Sequence, residues 1–374
     1  PGFSGDGGKA TAAQLHVPVY PVVDAAGNLF ISDFNNHRVR KVTPDGNITT
    51  VLGDGQSFSG GNGGPATDAS LNLPASVAWD DGSVLVAEAA GGQVRRISPN
   101  GTITDFAGSG PCTGLQVRNG QKATAACLQA PDGLAVDSRG DVFIADGQAS
   151  IVYEVTPDGN IKAVAGGGQP KSGIGDGGPP TGASLLEPSG LAIDSAGDLF
   201  IADTGHNRVR ELLRGDIRTV AGNGDNQVTG DHKQAKTAGV NTPSGLAFDE
   251  AGNLFVVEGS GAVRQISPDG IITTVADPIV NHVVLANAGQ HSYSIAIGPL
   301  GEIYEAISDE NRVRLFGPRA SPNGQIIAGT GSGRVADGDG RATGTPIPGP
   351  CALALAGHAL IVVSATGEVF AVGV

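Results

Sequence analysis

Acidic residues recur at one position of the sequence, directly after short apolar segments. The segment 199–203 (LFIAD) is one example, and four other segments end in the same way. The set comprises Asp33, Glu88, Asp146, Asp203 and Glu258. At equivalent places in a repeated structure, five carboxylates would form a negative rim that attracts a cation, a metal or a basic ligand. Alternatively, each carboxylate could accept backbone N–H groups from the loop that follows it, which is a structural role.

A second set of residues, with side chains that could act in catalysis or binding, precedes the first predicted strand of individual repeats. It contains His16, Asp132, Glu187, His291 and Tyr293. His291 and Glu187 are candidates for an acid–base pair, and His291 and His16 are candidates for ligands of a divalent metal. Asp132 and Tyr293 are candidates for ligand binding, together with the five acids above. A lone histidine at such a position is otherwise an ordinary surface residue.

The elements that must position these residues belong to one repeated stretch, which is clearest at 188–222. It predicts four short strands, at 190–194, 199–203, 208–212 and 217–221, joined by turns. An aspartate closes the first strand of five copies at intervals of 55 to 57 residues. These residues are Asp24, Asp80, Asp137, Asp194 and Asp249. A sixth copy has Gly298 at this place, and a seventh stops after three strands.

A fixed period of this length with four strands per period is typical of an all-β β-propeller. Each blade is a small antiparallel sheet, and neighbouring blades cover each other's apolar faces. We expect a single propeller domain spanning 1–374 with seven blades, the last of them three-stranded. Six blades is the alternative, with the short last repeat packed outside the ring. In a propeller, both sets of candidate residues would lie around the mouth of the central channel.

Several stretches resemble NHL repeats: 27–46 (GNLFISDFNNHRVRKVTPDG), 197–212 (GDLFIADTGHNRVREL), and the glycine-rich linkers 5–13 and 175–184. The resemblance extends over nearly the whole chain and implies a propeller fold. It implies no single function, because propellers include lyases, lactone hydrolases, receptor ectodomains and binding platforms. The resemblance to streptogramin-lyase propellers is architectural only. The three zinc-binding histidines of amidating-lyase propellers cannot be picked out here.

The amino-acid composition excludes some classes of function for this protein. The formal net charge is −14 and the pI is about 4.8, which argues against nucleic acid as a partner. No apolar run approaches the roughly 20 residues that a membrane-spanning helix needs. No nucleotide loop or CxxC pair is found, so we expect no nucleotide, flavin or haem. A divalent metal is the one cofactor that the candidate residues would suit.

Two function hypotheses follow. The first is a non-enzymatic binding platform whose channel mouth binds a protein, a peptide or a small cationic molecule. The second is a metal-assisted lyase or hydrolase with a histidine–carboxylate site at the mouth. The sequence does not choose between them, and it does not indicate an oligomeric state.

The three cysteines and the ends of the chain add further expectations. Cys112 and Cys127 lie in one long insert between repeats, and we expect a disulfide there, which favours a secreted or periplasmic protein. We expect Cys351 to be buried. Pro1 lies within a linker motif, so we expect residues upstream of it to complete the last blade. We expect the linker glycines to form turns rather than a calcium site.

Overall fold

The computed structural model describes residues 3–10, 13–16, 18–23, 28–112, 117–213, 215–249, 251–260 and 262–276, and seven separate strands between 294 and 373. Regular structure in these residues is β-strand, apart from short 3₁₀ turns. The turns span Phe34–Asn36, Ala66–Asp68, Ala123–Ala125, Pro180–Gly182, Thr204–His206 and Ala235–Thr237.

Each of the seven sequence repeats forms one antiparallel sheet. The first sheet contains β1 (Pro18–Val23), β2 (Leu29–Asp33), β3 (Arg38–Val42) and β4 (Ile48–Leu52). The second contains β5 (Pro74–Asp80), β6 (Ser83–Glu88), β7 (Gln93–Ile97) and β8 (Ile103–Ala107). The third contains β9 (Gln121–Lys122), β10 (Pro131–Val136), β11 (Val142–Asp146), β12 (Ile151–Val155) and β13 (Asn160–Gly166). Strand β9 belongs to the linker and pairs with β13.

The remaining sheets follow the same plan. The fourth contains β14 (Pro188–Ile193), β15 (Leu199–Asp203), β16 (Arg208–Leu213) and β17 (Asp216–Ala221). The fifth contains β18 (Lys233–Gln234), β19 (Pro243–Phe248), β20 (Leu254–Glu258), β21 (Val263–Ile266) and β22 (Ile271–Ala276). The sixth contains β23 (Ser294–Ile297), β24 (Ile303–Ile307), β25 (Arg312–Phe316) and β26 (Gln325–Ala328). The seventh contains β27 (Pro350–Ala356), β28 (Ala359–Ser364) and β29 (Val369–Gly373), so it has the three strands that we predicted.

The chain divides into two compact units. One consists of Pro1–Gln56 with Val275–Val374, and the other of Ser57–Thr274. In the second unit the first strands of successive sheets are neighbours, in the order β5, β10, β14, β19. In the first unit, β27 contacts both β23 and β1. The choice between seven and six blades around one axis stays a prediction.

The core of the second unit lies between successive sheets. Strand β11 shows why: Val142 and Ile144 pack toward the second sheet, whereas Phe143 and Ala145 pack toward the fourth. Side chains alternate between the two faces of a strand, so each sheet that has a neighbour on both sides must be apolar on both faces. Aliphatic residues and alanine make up most of these layers, in agreement with an aromatic content of only 4%.

In the first five sheets, the glycine-rich linker before the sheet runs along the outer strand of that same sheet. Backbone bridges join Lys9 to Asn47 and Gly178 to Ile217, and β18 pairs with β22 in the same way. Gly7 and Gly177 have positive φ angles of 79° and 77°, so these linkers do form glycine turns, as we predicted.

Glycine is also required where first strands approach each other. A Cβ atom on Gly133 of β10 would overlap the carbonyl oxygen of Ser189 on β14, and one on Gly190 would overlap the carbonyl oxygen of Ser244 on β19. Each of these strands is bulged next to its opening proline, which brings the glycine against the neighbouring backbone. The repeated Pro-x-Gly in these sheets is therefore a packing requirement.

We expect Gly133→Ala to lower the free energy of unfolding by about 2–3 kcal/mol, because the added methyl group must push two backbones apart. The matched control is Gly182→Ala, since a Cβ on Gly182 would meet no atom within 4 Å. The control should change stability by less than about 1 kcal/mol. Urea unfolding followed by circular dichroism checks the pair. Equal midpoints for the two variants would show that the inner strands can separate without cost.

Candidate functional site

The five recurrent acids lie inside the sheets. The side chains of Asp33, Glu88, Asp146, Asp203 and Glu258 each have 0% exposed surface. They therefore do not form the exposed negative rim that was one of the two interpretations of these acids. Their surroundings correspond to the structural alternative, and the contacts of Asp203 show how it works.

Asp203 is held from two directions. Its carboxylate accepts a hydrogen bond from the backbone N–H of Leu186 at 2.8 Å and contacts His206 Nδ1 at 3.0 Å. It also forms an ion pair with Arg210 at 3.1 Å, and the Arg210 side chain is itself fully buried. The second terminal nitrogen of Arg210 contacts Asp176 of the preceding linker at 2.7 Å. The arginine therefore joins the linker to the end of the second strand.

The same arrangement occurs in three other sheets, and we call it the arginine cluster. Each cluster has a buried acid at the end of the second strand, a buried arginine on the third strand and a polar side chain of the linker. The clusters are Asp33–Arg40–Asp6, Glu88–Arg95–Asn62, Asp203–Arg210–Asp176 and Glu258–Arg264–Asp231. A charge on each of these acids is thus balanced inside its own sheet.

Burial is the largest influence on the pKa values of Asp33, Glu88 and Glu258, and it raises all three. It raises the pKa of Asp33 to about 6, against the lowering effects of hydrogen bonds and of Arg40. It raises the pKa of Glu258 to about 7, against hydrogen bonding from Asn241 and the charge of Arg264. Because desolvation opposes the charged form, these carboxylates depend on their partners to remain buried.

Sequence reasoning did not identify the arginines, although a signal was present. The third strands read RVRKV, QVRRI, RVRELL and VRQI, with an arginine directly after a valine at the same place in each strand. The backbone N–H groups that donate to the five acids also differ from our expectation, which was the loop that follows each acid. They come mainly from the chain that enters the first strand, at His16, Asn72, Gln129, Leu186 and Asn241.

The third sheet departs from this pattern. Tyr153 occupies the place of the arginine, and Asp146 accepts three backbone N–H groups, from Gln129, Ala130 and Ala149, at 2.7, 2.9 and 3.2 Å. Burial raises the pKa of Asp146, and no cation contacts it in the part of the chain that the structure describes. In this sheet the linker is instead closed by the disulfide Cys112–Cys127, which confirms the predicted bond.

Asp132 is the candidate whose surroundings differ most from those of the buried acids. It lies at the bulge of β10, one residue after the opening proline. The equivalent residues of the neighbouring sheets are Ala75, Ser189 and Ser244, and together these four form the inner row of the second unit. Ser189 Oγ is 2.7 Å from Thr204 Oγ1 and donates to the carbonyl oxygen of Ser244 at 3.4 Å. The serines of the inner row are therefore engaged within the protein.

Asp132 is half-buried and has no hydrogen bond or ion pair with any residue that the structure describes. Burial alone raises its pKa. A carboxyl group in this position can take up a proton, or it can accept a guanidinium or ammonium group from a ligand. Asp132 thus differs from the five buried acids in its lack of an internal partner among the described residues, and it differs from Glu187 in its partial burial.

The remaining candidates are distributed as follows. The backbone N–H of His16 donates to Asp33 at 2.7 Å. Glu187 is exposed, with a φ of 49°. His291 and Tyr293 lie outside the described residues, so the acid–base pair and the metal site that involve His291 stay predictions. In the described ranges, no group of three or more His, Cys, Asp or Glu side chains could hold a metal ion.

The sheets, their order and their repeated clusters define a β-propeller. The sequence model of the NHL repeat matches residues 185–212, and that of the teneurin NHL domain matches residues 217–286. The chain therefore has a propeller fold with NHL-repeat sequence in these segments. Among the described residues, no helix has the length and apolar character to cross a membrane.

Relatives with curated descriptions share part of this sequence. Mouse teneurin-4 (Mus musculus) is 28% identical over 330 residues, which covers 74% of this chain and 11% of the teneurin. Protein SUPPRESSOR OF QUENCHING 1, chloroplastic, of Arabidopsis thaliana is 26% identical over 245 residues, which covers 62% of this chain and 23% of that protein. The chain thus spans about a tenth to a quarter of the length of these relatives.

Virginiamycin B lyase from Staphylococcus aureus is a structural neighbour. Its structure matches with a TM-score of 0.60 at 16% sequence identity, and the match covers 96% of this chain and 94% of the lyase. Identity this low shows a shared propeller fold and carries no activity across. This agrees with our expectation that the resemblance to streptogramin-lyase propellers is one of architecture only.

Proposed function

We propose that this propeller is a protein-interaction domain, and that Asp132 of the inner row receives a basic side chain of the partner. The NHL repeats and the similarity to teneurins support a role in protein interaction. The observation that carries the proposal is the contrast between Asp132, which lacks a partner among the described residues, and the clusters, whose acids are paired internally.

Charge favours a basic group as the occupant. The chain has a formal net charge of −14, so its surface field attracts cations and repels anions at neutral pH. A half-buried carboxylate gains more from a charged hydrogen-bond donor than an exposed one, because fewer water molecules compete. An arginine or lysine side chain of a protein or peptide supplies such a donor.

The Cys112–Cys127 disulfide supports an oxidising compartment as the site of action. Structural disulfides persist in secreted and periplasmic proteins and are rare in the reducing cytosol. We therefore place the interaction outside the cytosol, where a teneurin-like propeller would meet an extracellular or periplasmic partner.

The test is selection of a random displayed-peptide library on the intact protein. We expect the selected peptides to share an arginine or lysine. Asp132→Asn should weaken their binding by about 30-fold or more, since loss of one partner of a buried charge pair costs roughly 2–5 kcal/mol. The matched control is Asp158→Asn, which removes the same charge from the same sheet. Asp158 is exposed in the turn between β12 and β13, at the end of the sheet away from Asp132.

Two results would contradict the proposal. Selected peptides that bind Asp132→Asn as tightly as the unchanged protein would show that Asp132 is not the receiving group. Peptides without a shared basic residue would show that charge recognition at the inner row is not the basis of binding.

A further inference from the structure

The disulfide Cys112–Cys127 is attached to the stretch of chain that leads to Asp132. Cys127 begins a short segment that enters β10 and ends at Asp132. We call residues 127–132 the entering segment of the third sheet. The covalent bond at one end of this segment therefore acts close to the carboxylate that we propose as the receiving group.

In three other sheets the buried arginine holds the corresponding segment. Besides its ion pairs, the arginine donates a hydrogen bond to a backbone carbonyl oxygen of the chain that enters the first strand. These bonds join Arg40 to Gln14 at 3.4 Å, Arg210 to Ser184 at 3.3 Å and Arg264 to Gly239 at 3.1 Å. In each sheet, the accepting residue lies two positions before the residue whose N–H group donates to the buried acid.

Cys127 occupies this same position in the third sheet. The N–H group of Gln129 donates to the buried acid of this sheet, and Cys127 lies two positions before it. Tyr153 stands in place of the arginine, and its side chain forms no hydrogen bond with any residue that the structure describes. The disulfide to Cys112 holds the segment instead. A thiol can break this disulfide, whereas it does not act on an arginine that holds a carbonyl oxygen.

Backbone hydrogen bonds also contribute to the position of the entering segment. The N–H groups of Gln129 and Ala130 donate to Asp146 at 2.7 and 2.9 Å. The carbonyl oxygen of Ala130 accepts a hydrogen bond from the N–H group of Gly147 at 3.1 Å. Without the disulfide, such hydrogen bonds have to keep the segment in place alone. We expect the segment to open locally in part of the molecules when the disulfide is reduced.

We infer that the disulfide controls binding at Asp132: the oxidised protein holds Asp132 in place for a basic side chain, and reduction weakens this binding. The inference rests on the proposed function. A carboxylate that is already fixed in its binding position costs the partner less ordering free energy than one on a segment that opens.

The reductant is a dithiol. One of its thiolates attacks the sulfur of Cys112, which is less buried than Cys127, and Cys127 leaves as a thiolate. The second thiol of the reductant then attacks the mixed disulfide and releases Cys112. Two electrons and two protons of the dithiol thereby end on the two cysteines, and the dithiol becomes a disulfide.

The experiment uses the intact protein and a labelled, cysteine-free peptide from the selection described above, and it measures the Kd by fluorescence anisotropy. Treatment with dithiothreitol should raise the Kd about three- to tenfold, in proportion to the fraction of molecules whose segment is open. The double variant Cys112→Ser, Cys127→Ser should show the raised Kd without dithiothreitol and no further change with it. Amide exchange of the free protein should become faster at Gln129 and Ala130 on reduction.

Two controls separate this effect from other effects of reduction and of lost stability. Cys351→Ser should respond to dithiothreitol as the unchanged protein does, because Cys351 is not part of this disulfide. Arg264→Met removes the corresponding contact from the fifth sheet, so it should destabilise that sheet and bind the peptide normally. All measurements are made at a temperature at which circular dichroism shows each variant to be folded.

The outcomes distinguish this inference from the proposed function. Equal affinities of oxidised and reduced protein, for a peptide whose binding Asp132→Asn weakens, would overturn the inference and leave the proposed function standing. An equal loss of affinity in Arg264→Met would also overturn it, because general destabilisation would then explain the result. Peptides that bind Asp132→Asn as tightly as the unchanged protein would overturn the proposed function and this inference with it.

Discussion

Replacing Arg210 by methionine is expected to lower the free energy of unfolding by about 3–5 kcal/mol, the range for breaking a buried ion pair from one side. Methionine fills much of the arginine volume but leaves Asp203 buried without its cation. It also removes the contact to Asp176, so the linker loses its tie to the third strand. Urea unfolding at neutral pH measures the loss.

The control for this prediction is the same substitution at a surface arginine. Arg218 has a side chain that is 51% exposed and pairs with Glu211 at 2.6 Å. Arg218→Met should cost less than Arg210→Met, because the Arg218 side chain is half exposed and its pair with Glu211 is open to water from that side. Adding Asp203→Asn to Arg210→Met should recover part of the stability, since no buried charge is then left unpaired and Asp176 is exposed to water. If the two arginine variants unfold at the same urea concentration, the buried clusters are not the main support of these sheets.

Loss of the disulfide is expected to have the next largest effect. Changing Cys112 and Cys127 to serine should destabilise the protein by about 3 kcal/mol, as estimated for a closed loop of 15 residues. The effect should be concentrated in the third sheet, because Tyr153 stands there in place of the arginine and cannot hold the linker through a charge. In this sheet the disulfide holds the linker instead of an arginine.

Thermal unfolding with and without reductant provides the measurement. Reductant should lower the melting temperature of the unchanged protein and should leave the double serine variant unaffected. Hydrogen exchange should then show faster exchange at β9, whose pairing with β13 holds the linker against the sheet. A melting temperature that is insensitive to reductant would show that backbone pairing alone holds this linker.

The fold could be predicted because it is repeated. One stretch of four short strands is ambiguous, but five aspartates at nearly constant spacing make the same strand pattern necessary in every copy. The disulfide was predictable for a related reason: an insert that interrupts the repeat has little else to hold it.

The candidate site was less accessible to sequence reasoning. The acids such as Asp203 were visible, but their burial depends on the arginine that pairs with them across the sheet, and pairing of this kind is a property of the folded register. Asp132 was among the candidates, yet its sequence context does not show that it lacks a partner.

The arginine clusters determine which segment of the chain can be duplicated as one repeat. Every member of the fourth sheet's cluster lies between Asp176 and Arg210, and the linker that supplies Asp176 runs along β17 of the same sheet. One structural unit therefore begins at the linker and ends with the outer strand of the sheet. This unit can be copied, deleted or moved without leaving a buried charge unpaired. A gene duplication that cut between linker and blade would separate Arg210 from Asp176. Chimeric propellers should accordingly be joined just after Gly222, at the boundary where no ion pair of this cluster is divided.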